Sequence, residues 1–123
     1  MAVRAMVVVC LALIAAGCAS AEKDPVVSTA ERFLSAAGQG QGGPACRLLS
    51  PKAARSLDDC EKQIVSVGLR PAAVRGVDVW GDEARVRLDG DTLFLHRFSE
   101  GWRIRAAGCA PRPGEPYECE VEA

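Results

Sequence analysis

The chain has 123 residues, 49% hydrophobic and 25% charged, with 15 basic side chains against 16 acidic ones and a single histidine. That balance leaves no basic footprint for nucleic acid and no polybasic segment for anionic lipid, so neither partner is expected through charge. The length suffices for one domain and not two.

Met1-Ala-Val-Arg4 places one positive charge ahead of an apolar run from Ala5 to Ala16, which Gly17-Cys18 ends. A run of about a dozen apolar residues behind a charge has the anatomy of a secretory signal and is too short to span a bilayer. Leu13-Ile14-Ala15-Ala16-Gly17-Cys18 resembles the lipobox of bacterial lipoproteins, with Ala15 where leucine is usual. The resemblance implies a signal peptide over residues 1–17 and cleavage before Cys18. It also implies a diacylglycerol on the Cys18 sulfur, holding the exported protein at the outer face of the cell membrane. Residues 18–24 then read as the lipidated cysteine and a short linker reaching about 20 Å at most, and residues 25–123 as a single domain.

Asp24-Pro25 reads as a helix start, with Asp24 as N-cap and Pro25 in the first helical position. Val26, Val27, Ala30, Phe33, Leu34 and Ala37 follow at helical spacing. The glycine-rich Gly38–Gly43 segment has no preceding strand and no following Lys-Ser/Thr, so it reads as an inter-helix loop and not a phosphate cradle. Pro44 opens a second short helix. Ser50-Pro51 caps a third over Pro51–Leu57, and Asp58-Asp59 a fourth over Cys60–Val67, ending at Gly68.

Beyond Pro71 the period changes from helical to alternating. Val74–Trp80, Glu83–Leu88, Thr92–Phe98 and Trp102–Ala106 read as four strands of an antiparallel meander. A two-residue Gly81-Asp82 turn sets Val79 opposite Ala84, Val77 opposite Val86, and Asp78 opposite Arg85. Three-residue turns at Asp89–Asp91 and Ser99–Gly101 set Val86 opposite Phe94, Phe98 opposite Trp102 and His96 opposite Ile104. In that register Phe94, His96, Phe98, Trp102 and Ile104 share the apolar face as the lining of a candidate pocket. Arg85, Arg87, Arg97, Arg103 and Arg105 form an outward basic stripe, Trp80 lies outward near a hairpin, and Glu115–Glu122 reads as an irregular end.

Helices followed by a meander with one apolar face make an α+β domain, with N-terminal helices packed on a curved antiparallel sheet of four or more strands. This order resembles the nuclear-transport-factor-two-like cone, shared with ketosteroid-isomerase-like and polyketide-cyclase-like proteins. Ala45-Cys-Arg-Leu-Leu-Ser50, Cys60, Gly101-Trp-Arg-Ile-Arg-Ala-Ala-Gly-Cys109 and Pro116-Tyr-Glu-Cys119 resemble small lipoproteins of GC-rich bacteria over most of the mature chain. The shared residues are structural, so they imply a fold and not an activity.

Cys46, Cys60, Cys109 and Cys119 remain after Cys10 leaves with the signal and Cys18 takes the lipid. Four cysteines in an exported domain read as two disulfides with three pairings open. The sequential pairing, Cys46–Cys60 and Cys109–Cys119, closes the shortest loops. A four-cysteine zinc site lacks any Cys-x-x-Cys pair, and neither metal nor cofactor is expected.

His96 has no carboxylate on its predicted face to orient it, and no Ser/His/Asp order or Gly-x-Ser-x-Gly context appears. The leading expectation is therefore a non-enzymatic, membrane-anchored lipoprotein. It would bind a small apolar ligand in the cone or serve as an accessory to an envelope protein. One alternative is an isomerase- or cyclase-type enzyme using His96 in the cavity. Another is a scaffolding lipoprotein with a filled core and an interaction surface on the arginine face.

Overall fold

The computed structural model describes residues 17–123. The apolar run on which the signal-peptide reading rests lies outside the described residues. Four helices, α1 (Gly17–Gly38), α2 (Gly42–Leu48), α3 (Pro51–Arg55) and α4 (Cys60–Ser66), precede five strands. These are β1 (Val74–Trp80), β2 (Glu83–Leu88), β3 (Asp91–Phe98), β4 (Gly101–Arg112) and β5 (Glu115–Glu122), and they pair antiparallel in chain order. The fold is α+β, with the helical part on one face of an open sheet.

Helix α1 presents Val26, Ala30, Phe33, Leu34 and Ala37 to the sheet, all at most 3% exposed. Burying a Leu or Phe fully contributes about 1.5–3 kcal/mol, so this stripe dominates the packing. The helix does not start at Asp24. Its described span is Gly17–Gly38, and it runs through Pro25. Proline inside a helix withholds one N–H and crowds the carbonyl four residues before it, at a cost of about 3 kcal/mol. Tertiary bonds hold the first turns in place: Arg97 donates to Glu22 Oε1 at 3.0 Å, and the Trp102 indole donates to Glu22 Oε2 at 3.3 Å.

The short helices are fixed by side-chain caps and by sulfur. Ser50 accepts from the Ala53 N–H at 3.2 Å and Asp59 from the Lys62 N–H at 3.4 Å. Cys46 on α2 and Cys60 on α4 form a disulfide, and Cys109 and Cys119 form a second across β4 and β5, both as expected from the sequence. Gly42 opens α2 against the α4 backbone, where a Cβ would fall 2.2 Å from the Glu61 carbonyl oxygen. The glycine-rich stretch is thus partly a docking surface and not only a loop.

The register of β1 on β2 is the expected one, with Val77 opposite Val86, Asp78 opposite Arg85 and Val79 opposite Ala84. The next two hairpins differ. Their turns are two residues long, Asp89-Gly90 and Ser99-Glu100, so Val86 faces Leu93, Ala84 faces Leu95, and Leu95 faces Ile104. Gly90 adopts φ +77°, which suits an Asp-Gly hairpin turn and removes the residue that a three-residue loop would need. A one-residue change of register turns every side chain over. Leu93 and Leu95 are therefore the fully buried residues of β3, while Phe94, His96 and Phe98 lie on the outward face. Trp102 and Ile104 do face inward, and Arg97 shares their side of the sheet.

A bulge at Arg105 sets two residues of β4 against Phe94. Ile104 and Ala107, three residues apart, both reach the core because of it. Residues 115–122, read as irregular from the sequence, form β5, with Ala107 opposite Val121.

Two outcomes test this packing. Gly42→Ala should lose about 1–3 kcal/mol in urea unfolding through overpacking against α4. Gly43→Ala, whose Cβ would meet only atoms at ordinary contact distance, should be neutral or slightly stabilising. Removing either disulfide by paired Cys→Ser should cost about 2–5 kcal/mol by the same assay.

Candidate functional site

The space between α1 and the sheet is filled by side chains. Phe33, Leu34, Leu93, Leu95 and Ile104 are each at most 1% exposed. The chemistry-bearing residues instead gather on the outward face. Glu83 and His96 are cross-strand partners on β2 and β3, and the His96 Nδ1 meets Glu83 Oε1 at 2.5 Å. The second oxygen of the same carboxylate accepts from Arg105 Nε at 3.0 Å. One carboxylate thereby orients an imidazole and a guanidinium together, and with Nδ1 engaged the His96 Nε2 is the nitrogen left to meet a bound group.

Aromatic rings frame this triad. His96 and Phe98 stack edge to face at 4.7 Å, Phe94 and Tyr117 at 5.1 Å, and the Arg105 guanidinium lies 5.5 Å from the centre of Phe94. These contacts keep Phe94, Phe98 and Tyr117 half-buried on the outward face. Beside them a groove of about 400 Å³ runs between the sheet and α3. His96, Phe98 and Arg105 form one wall, and Pro51, Lys52 and Arg55 the other. Helix α3 is held there because the Ser50 N–H donates to the Ile104 carbonyl at 2.7 Å, closing the free edge of β4. Lys52 and Arg55 have no ion-pair partner among the described residues.

The five residues expected to line one pocket are therefore divided. Phe94, His96 and Phe98 are together on the outside, and Trp102 and Ile104 are in the core. Glu83 was not expected as the partner of His96, because a three-residue Asp89–Asp91 turn puts the two on opposite faces. The Asp-Gly pair inside Leu88-Asp-Gly-Asp91 was the signal that could have found it. Cys18 lies within α1, and the four other cysteines among the described residues are joined in pairs as expected. Among the described residues no group of three or more His, Cys, Asp or Glu is placed to hold a metal ion.

The arrangement can hold a ligand or a partner by hydrogen bonds and ring contacts. The Ser50 hydroxyl, in the neighbouring wall, is buried and caps α3. No hydrogen bond joins His96 to a hydroxyl or thiol among the described residues. No family model, curated protein or solved structure matches the chain.

Of the other stripe residues, Arg103 donates to the Trp102 carbonyl at 2.8 Å, and Arg85 and Arg87 are paired. Arg85 donates twice to Asp78 Oδ2, at 3.1 and 2.8 Å, and Arg87 approaches the same oxygen at 3.7 Å. The hydrogen bond from Arg85 holds the Asp78 carboxyl below its ordinary range, and the one from Arg75 does the same for Asp89. Burial pushes Asp91 the other way, although it accepts from the Thr92 and Cys109 N–H groups. A depressed carboxyl stabilises the fold above its ordinary pKa, and that contribution disappears as pH falls through the depressed value. A raised carboxyl has the opposite sign. Urea midpoints measured between pH 6 and pH 2 should thus fall less steeply in Asp78→Asn than in the wild type, and more steeply in Asp91→Asn.

Proposed function

We propose that this chain is a small exported bacterial lipoprotein anchored by lipid on Cys18. Its nuclear-transport-factor-two-like domain serves, without catalysis, as an accessory to an envelope protein. The observation that carries this reading is the division between a filled interior and an outward groove. An apolar ligand between helix and sheet would have to displace Phe33, Leu34, Leu93 and Leu95 from close packing. The outward face offers oriented polar groups, rings and two cations, Lys52 and Arg55, that form no ion pair among the described residues, a composition suited to a protein surface. Two disulfides in a domain of this size suit an oxidising, exported setting. The helices-then-meander order supports the cone relationship, in which the sheet curves around α1. An isomerase-type mechanism in the cone needs His96 inside it, and the outward position of the ring counts against that reading.

The anchor and the accessory role are tested separately. An alkyne fatty acid fed to cells should label the wild type, and Cys18→Ser should lose both the label and the membrane fraction. Unlabelled Cys18→Ser remaining in the membrane would contradict anchoring. A photo-crosslinking amino acid at position 98 should give one discrete adduct with an envelope protein, and the same probe at Lys62, 88% exposed on α4, should give none. Absence of any adduct at position 98 would contradict the accessory role.

A further inference from the structure

We infer that Trp80 rests in the interfacial zone of the bilayer and sets the orientation of the domain on the membrane. The inference builds on the lipid anchor proposed at Cys18. Among the described residues Trp80 is the one large hydrophobic side chain that is exposed, at 51%. It ends β1, immediately before the Gly81-Asp82 turn.

That turn is tied to the anchor by a chain of charged contacts. Asp82 accepts from Arg97 Nη2 at 2.8 Å, and its carbonyl accepts from the Arg97 N–H at 2.8 Å. Arg97 in turn donates to Glu22 at 3.0 Å. Glu22 lies four residues after Cys18, so the backbone between them spans about 14 Å even when fully extended and about 6 Å as helix. The lipidated sulfur is thus confined to the end of the sheet that carries the Gly81-Asp82 and Ser99-Glu100 turns. This end must face the membrane, because no linker remains to let the domain turn away.

An indole is suited to that position, since its apolar body enters the acyl boundary while its N–H stays among headgroups. Attraction to anionic lipid is not required. The neighbouring turns carry Asp82 and Glu100, and Arg97 neutralises the former, so the contact is aromatic rather than cationic. The other tryptophan, Trp102, is 4% exposed and bonded to Glu22. It serves as an internal reference.

The lipidated protein, extracted from its host membrane, is reconstituted in phosphatidylcholine vesicles carrying a nitroxide near the headgroup end of the acyl chain. Co-flotation reads anchoring, and tryptophan quenching reads the contact. The expected result is co-flotation with a blue-shifted, quenched emission, and loss of that quenching in Trp80→Phe with an unchanged melting temperature. Co-flotation without quenching, or equal quenching in Trp80→Phe, would overturn the inference while leaving the anchor in place. Failure to co-float would refute the anchor itself, and the orientation with it.

Discussion

The burial of the inward side of β3 in the hydrophobic core governs the rest of the structure. Leu93 and Leu95 are wholly excluded from solvent, in one core cluster with Phe33 and Leu34, and strand geometry then leaves the alternate residues no choice but the outer surface. His96 meets Glu83, and Phe98 the groove beside α3, because two leucines and not two aromatics were drawn into the core. The aliphatic pair fits opposite Val86 and Ala84, and the aromatic residues find Tyr117 and the Arg105 stem on the other side. The outward face that carries His96, Glu83 and Arg105 is a by-product of core packing.

A layer of short helices would not hold itself on such a sheet by helix propensity, since pieces of five or seven residues are far below the length of an independent helix. Each is fixed by something outside its own ladder. The Cys46–Cys60 bridge and the close approach at Gly42 join α2 to α4, and the Ser50 bond to Ile104 stitches α3 to the sheet edge. Sulfur and backbone contacts supply what a small core cannot. The groove wall formed by α3 is held to the sheet by the Ser50 bond.

Much of this was legible in the sequence. The alternation from Val74 to Leu88 determined the first hairpin, and the caps at Ser50 and Asp59 were read from residue type alone. The short loops between cysteines pointed to the observed pairing. The alternation in β3 was ambiguous because both of its faces are apolar: Leu93 and Leu95 on one, Phe94 and Phe98 on the other. Turn length alone could decide between them, and one residue in the turn reversed the strand. The same step hid Glu83 from His96. The bulge at Arg105 and the continuation of α1 through Pro25 were not legible either, since both depend on partners distant in sequence, Phe94 in one case and Arg97 with Trp102 in the other.

The central claim is that β3 turns its leucines inward and its histidine outward. Nuclear Overhauser contacts in the folded domain measure this most directly. The account predicts contacts from the Leu93 and Leu95 methyl groups to core side chains of α1, with His96 ring protons seeing Phe98 and neither Phe33 nor Leu34. Contacts from the His96 ring to Phe33 or Leu34, with the leucine methyl groups silent toward α1, would contradict it.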